Sequence, residues 1–175
     1  MKNILIIVLS IFIAACTGNS KKPVPTQNEI VRYKNALVGI HKEIVKNQAD
    51  SIQRYADSMG WQISSTPTGL WISFVTDAPG PTAKAGDEVY LAYKTSLLNG
   101  KLCYDSDSLG YQKILCGRGG IESGLEEALL LMSKGDKSRV ILPSHLAFGV
   151  AGDFKCVPRL SILIYELEVL EIFPH

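Results

Sequence analysis

The spacing of hydrophobic and polar positions changes period three times along the chain, and each change marks an element. Between Asn28 and Met59, Tyr33, Leu37, Ile40, Ile44, Ile52, Tyr55 and Met59 fall near one helical stripe with charged residues between them. This predicts a helical segment over 28–60, opened by a Thr26/Glu29 capping-box spacing and stopped at Gly60, with Gly39 as a point where one helix becomes two. The stripe needs a partner surface. Packing onto the following domain is favoured, and a homodimer through residues 28–59 is the alternative.

From Trp61 the period falls to two. Trp61–Ser64 and Leu70–Thr76 alternate across a Thr66-Pro67-Thr68-Gly69 turn, giving connecting strands over 61–83. Val89, Leu91 and Tyr93 define a half-buried strand, and Asn99-Gly100 is a hairpin signal after it. Lys113–Cys116, Lys137–Pro143 and Leu163–Val169 read as further strands, the last with one wet face. One helical stretch interrupts them. Leu125, Ala128, Leu129 and Met132 share a helix face over 123–133, Ser123 and Glu126 have capping-box spacing, and Gly135 offers a left-handed stop. Strands outnumber helices too strongly for parallel βαβ winding. The predicted class is α+β, an antiparallel β-sheet wrapped around one short α-helix and preceded by an N-terminal helical segment.

Composition and charge narrow the picture modestly. With 175 residues, 46% of them hydrophobic, the chain can bury one sizeable core with extra segments. A formal net charge of +1 and no basic run exclude nucleic acid as an expected partner. Residues 1–15 have the form of a signal peptide: Lys2, the apolar run Ile4–Phe12, then small residues directly before Cys16. That ending resembles the lipobox of bacterial lipoproteins, so Cys16 is the expected lipidation site and residues 16–27 a polar tether. The expected location is the cell envelope, as a membrane-anchored lipoprotein facing the periplasm.

Several short motifs then stand in a specific order. They are Gly86-Asp87-x-Val89-x-Leu91-x-Tyr93, Asn99-Gly100-Lys101, Tyr104-Asp105-Ser106, Gly117-Arg118-Gly119 and Gly124-Leu125-Glu126-Glu127-Ala128-Leu129. After them come Met132-x-x-Gly135-Asp136-Lys137, Ile141-x-Pro143, Leu146-Ala147-Phe148-Gly149, Val157-Pro158 and Leu163-x-Tyr165-Glu166-Leu167-Glu168-Val169-Leu170. Their order and spacing resemble the FKBP-type peptidyl-prolyl cis-trans isomerases over about residues 84–173, with the domain set at 84–175. The helical segment and the lipobox add a resemblance to the FKBP-like lipoproteins of Bacteroidetes, including the gliding motility-associated isomerases.

Prolyl isomerisation asks for little covalent chemistry. The barrier of about 18–20 kcal/mol arises because the amide resists leaving its plane. A catalyst must therefore bind the twisted amide better than the planar one. The twisted form has lost resonance and dipole, so an apolar, water-poor bowl with a few rim donors suits it, and no cofactor is needed. The resemblance implies which residues form that bowl. Tyr93, Asp105 and Phe148 match catalytic positions; Tyr104, Ile121, Glu122, Leu125, Val157 and Tyr165 match substrate-binding ones. The Glu122 backbone N–H corresponds to the group that holds a ligand carbonyl.

This sequence departs from the family pattern at four points. Leu125 replaces the usual tryptophan floor, Phe148 replaces a tyrosine with a useful hydroxyl, and Gln112 stands where another aromatic is common. The spacing from Gly100 to Asp105 is one residue longer than usual, so Cys103-Tyr104 is the ungapped alternative to Tyr104-Asp105. Read without the resemblance, Tyr93, Leu125, Phe148 and Tyr165 are core positions, and Asp105-Ser106-Asp107 is turn chemistry. The implied function is an isomerase acting on proline-containing polypeptide clients during folding of exported or envelope proteins. The alternative is a non-catalytic binding or chaperone module in an envelope assembly.

Other chemistry has little support. His41, His145 and His175 are scattered without zinc-ligand spacing, and no serine–histidine–acid set emerges. Cys103 and Cys116 are candidates for a cross-strand disulfide; buried free thiols for Cys103, Cys116 and Cys156 are the commoner alternative.

Overall fold

The computed structural model describes residues 25–175. The signal segment, the Cys16 lipidation site and most of the 16–27 tether lie outside the described residues. Two compact units divide the chain at Gly39/Ile40. Helix α1 covers Gln27–Ser58, and Gly39 falls inside it rather than at a break. Its start follows the expected capping box. The Thr26 N–H donates to Glu29 Oε2 at 2.7 Å, and the Glu29 N–H donates to Thr26 Oγ1 at 3.4 Å.

In the larger unit, seven strands form one antiparallel sheet: β1 (Ser64–Ser65), β2 (Trp71–Thr76), β3 (Glu88–Leu97), β4 (Leu102–Asp105), β5 (Gln112–Leu115), β6 (Lys137–Leu142) and β7 (Leu163–Phe173). The order is β1-β2-β6-β7-β3-β4, with β5 also pairing β3. Strand β3 is the hub. Along one edge it pairs β7 over its whole length, and along the other it pairs β5 first and β4 afterwards. Two short helices complete the unit, α2 (Ser106–Leu109) and α3 (Ser123–Leu129), with a 3₁₀ turn at Ser144–Leu146.

Alternation sorts the strand residues into two cores. Val140, Leu142, Leu163, Tyr165 and Leu167 point to the side where Leu125, Ala128, Leu129 and Met132 cover the sheet. Ile141 and Ile164, one residue out of step, point the other way. There they meet Ile52, with Tyr55, Trp61 and Trp71 around them. The C-terminal part of α1 therefore covers one end of the outer face, and Ile164 is dry where a wet face was expected. Further along β7 the outer side is wetter, with Glu166 exposed and Glu168 half-buried.

Local expectations needed four corrections. The helix predicted over 123–133 ends at Leu129, because the next N–H groups tighten onto i−3 carbonyls: Leu131 to Ala128 and Met132 to Leu129. Its capping box does not form. Glu122 occupies the N-cap, while Glu126 Oε1 accepts from the Gly117 N–H at 2.6 Å and pins the preceding glycine turn instead. The Trp61–Ser64 strand shrinks to Ser64–Ser65, since Trp61 stacks edge-on with Tyr55 and lies under the Arg139 guanidinium, 4.7 Å from the ring centroid. Lastly, the disulfide joins Cys103 to Cys156, and Cys116 is a buried free thiol. Burial raises the Cys116 pKa, so that thiol is held in its unreactive form.

Gly124 lets α3 approach the sheet. A Cβ there would stand 2.6 Å from Leu142 Cδ2 and 2.9 Å from Leu146 Cβ, too close for any other residue.

Candidate functional site

The candidate side chains come from several elements, and among them Ile121, Glu122 and Phe148 line one cleft. Tyr165 arrives from β7, paired with Thr95 of β3, and is 4% exposed. Its hydroxyl donates to Glu122 Oε1 at 3.0 Å. Leu125 and Val157, 2% and 3% exposed, belong to the main core, with Tyr93, Tyr104, Ile121 and Phe148 packed half-buried against it. Ile121, Glu122 and Phe148 line a cleft of about 420 Å³ together with Gln112, Gly120 and Ala147. Its lining is mixed, with apolar surface from Ile121, Ala147 and Phe148 and polar groups from Gln112 and Glu122.

Asp105 is not among the residues that line this cleft. Asp105 is the N-cap of α2, where its Oδ1 accepts from the Asp107 N–H at 2.8 Å, so the turn chemistry of this stretch is present. Its Oδ2 stands 4.0 Å from Lys94 Nζ. Ser106, buried just after it, accepts the Tyr93 N–H at 3.1 Å. Burial first, then the charges of Asp105 and Glu122, push the Tyr93 phenol above its ordinary pKa. Burial and the Glu122 carboxylate act the same way on Tyr165, which stays protonated well beyond the usual phenol range.

Tyr104 belongs to a second network that the sequence did not reveal. Its hydroxyl donates to Asp153 Oδ2, and that bond raises the Tyr104 pKa. Asp153 Oδ1 accepts the backbone N–H groups of Lys155 at 2.9 Å and Val157 at 2.8 Å. Burial works to raise the Asp153 pKa, but the Tyr104 hydroxyl and these N–H groups outweigh it and hold the carboxyl below its ordinary value. The Cys103–Cys156 disulfide spans the same gap. Strand β4 is thus fastened twice to the loop between Phe148 and Ile162. Asp153 went unnoticed and Cys156 was expected as a free thiol, because their partners are 49 and 53 residues away, beyond any local spacing rule. Buried Gly152 lets that loop fold on itself, since a side chain there would collide with the Val157 carbonyl.

A second concavity of about 310 Å³ lies where Lys94, Lys137, Arg139, Glu166 and Glu168 meet, and Tyr93, Ser106 and Asp107 line it as well. Four of its side chains are ion-paired, Lys137 to Glu168 at 2.9 Å and Lys94 to Asp107 at 3.5 Å. A charged, wet groove gives a twisted amide no advantage, so the Ile121–Glu122–Phe148 cleft is the candidate site.

Comparison with known proteins identifies the family. The profile described as FKBP-type peptidyl-prolyl cis-trans isomerase matches residues 80–170. The chain belongs to that family. It is 29% identical over 143 residues to the FKBP-type peptidyl-prolyl cis-trans isomerase FkpA of Escherichia coli K12, covering 80% of this chain and 52% of FkpA. It is 36% identical over 91 residues to human peptidyl-prolyl cis-trans isomerase FKBP9, covering 51% of this chain and 16% of that protein. The crystal structure of FkpA from Escherichia coli superposes with a TM-score of 0.65 at 25% identity, over 99% of this chain and 83% of that one. The chain spans about half the length of FkpA and a smaller part of FKBP9.

Proposed function

We propose that the protein is a peptidyl-prolyl cis-trans isomerase that turns Xaa-Pro amides in the Ile121–Glu122–Phe148 cleft. The observation that carries this reading is the cleft lined by Ile121, Glu122, Ala147 and Phe148, where the Tyr165 hydroxyl reaches Glu122 from the core. An amide that leaves its plane loses dipole and is favoured by such a recess over water. The roles are divided: Tyr93, Asp105 and Phe148 at the reacting amide, and Tyr104, Ile121, Glu122, Leu125, Val157 and Tyr165 as walls and floor. The isomerase domain is residues 84–175, and the clients are proline-containing polypeptides. Export suits the Cys103–Cys156 disulfide, because such bonds persist in oxidising compartments. Anchoring through lipidated Cys16 rests on the lipobox alone.

A homodimer through α1 is the second part of the proposal. Tyr33, Leu37 and Ile40 are exposed on that helix, and an apolar stripe of this kind gains stability when a second copy covers it. Sedimentation of the protein with and without residues 28–39 tests it; an unchanged mass would remove the dimer.

One observation favours a non-catalytic binding module as the competing reading. Leu125 supplies a smaller floor than tryptophan would, and Phe148 brings no hydroxyl to the rim. The deciding experiment is exchange NMR on a Leu-Pro peptide beside the Asp105→Ala variant. Accelerated exchange that drops in the variant supports the isomerase. Exchange at the uncatalysed rate with bound peptide supports the binding module.

A further inference from the structure

We propose that the Glu122 carboxylate makes this cleft selective for Xaa-Pro segments carrying a lysine or arginine next to the proline. The inference deepens the isomerase reading and rests on it, since it names the substrate class of the same site.

It starts from where the Glu122 side chain goes. Glu122 is the N-cap of α3, a position where a carboxylate ordinarily bonds the helix's own free N–H groups. Here it makes no capping bond; only its backbone carbonyl serves the helix, accepting from the Glu126 N–H. The carboxylate turns instead into the cleft, and Tyr165 donates to Oε1. A charge forgoing its local partners to sit half-buried in a recess is costly unless something compensates it. A single neutral phenol compensates it in part.

Two other carboxylates of the candidate region are committed. Asp153 is held by Tyr104 and two backbone N–H groups. Asp105 caps α2 and faces Lys94. Among the described residues no lysine or arginine forms an ion pair with Glu122. The recess therefore carries one negative charge without a cation, next to the backbone that would hold the peptide. Burial and this charge together keep Tyr165 protonated, so the phenol remains a donor and never adds a second negative charge.

A basic side chain beside the proline would supply the missing cation. Its aliphatic stem would lie on Ile121 and Phe148, and its charged head would reach Glu122. An acidic side chain in the same place meets like charge and is excluded. One partly screened ion pair corresponds to about three- to tenfold in affinity.

Blocked peptides Ala-Lys-Pro-Phe, Ala-Leu-Pro-Phe and Ala-Glu-Pro-Phe test this on the whole folded protein. Affinity is read by ¹⁵N shift titration, and exchange rate separately by NMR on the same samples. The expected order is lysine, then leucine, then glutamate, with about tenfold between the extremes at low salt. The lysine preference should collapse in Glu122→Gln, which keeps an oxygen for Tyr165, and shrink in 0.5 M salt as screening shortens to roughly 4–5 Å. Glu171→Gln, on the far part of β7 and paired with Lys134, serves as the charge control and should keep the preference. Equal affinities, a preference untouched by Glu122→Gln, or no binding of any peptide would overturn the inference. A lysine preference in binding with no acceleration of exchange would leave the selectivity standing and remove the isomerase reading.

Discussion

Gln48 on α1 accepts both the backbone N–H of Ser144 at 2.8 Å and the Ser144 hydroxyl at 3.0 Å through one Oε1. Its Nε2 donates to the Leu160 carbonyl at 2.8 Å. One buried amide thereby ties the helix to both ends of the segment that carries Phe148, Asp153 and Val157. Gln48→Ala would leave three backbone and hydroxyl groups without partners, costing about 1–3 kcal/mol. Urea denaturation should show that loss, and hydrogen exchange at the Ser144 amide should speed up.

The disulfide acts on the same segment from the opposite side. Cys103 and Cys156 are 53 residues apart, so the bond removes many open conformations from the unfolded chain. Cys103→Ser with Cys156→Ser should lower stability by about 2–4 kcal/mol. Thermal melting with and without a dithiol reductant checks this, in a Cys116→Ala background that prevents exchange with the third thiol. A wild-type melting temperature indifferent to reductant would refute it.

These fastenings show where sequence reading succeeds and where it stops. The Thr26/Glu29 box was legible because both partners sit within one turn and nothing competes for them. The same spacing at Ser123/Glu126 misled, since Glu126 is drawn to the Gly117 N–H, outside the helix. Period-two patterning placed the strands well, because it reports which face is dry. It could not say that α1 dries the outer face at Ile164. The pairing of Cys103 with Cys156 and of Tyr104 with Asp153 depends on sheet order, which local spacing does not encode. Ordered family motifs brought Ile121, Glu122 and Phe148 forward together, and the structure places them around one cleft.

Acid should loosen the loop late. The Asp153 carboxyl is held below its ordinary value of 3.8, so the folded state favours its charged form. Its contribution to stability is fully present above pH 3.8 and is lost as pH falls through the lower folded-state value. Amide shifts of Lys155 and Val157 should stay constant from neutrality to about pH 5 and move only below the ordinary aspartate range. In Asp153→Asn that acid transition should be absent.

Phe148→Tyr should raise activity. It restores a hydroxyl at the cleft rim, and one neutral donor to a substrate carbonyl is worth about 0.5–1.5 kcal/mol. Up to about tenfold in kcat/KM on a Leu-Pro peptide is expected. An unchanged value would place the Phe148 ring away from the peptide.

The most direct test of the central claim is the cis–trans exchange rate of a Leu-Pro peptide with a catalytic amount of folded protein, compared with Ile121→Asp. A charge at Ile121 fills the recess with water-attracting surface while lying outside the fully buried core, and circular dichroism checks that the variant folds. Catalysis in the cleft predicts exchange faster than the uncatalysed tens to hundreds of seconds for the wild type, and a return close to that rate in the variant. Equal acceleration by both proteins would contradict the assignment of the cleft.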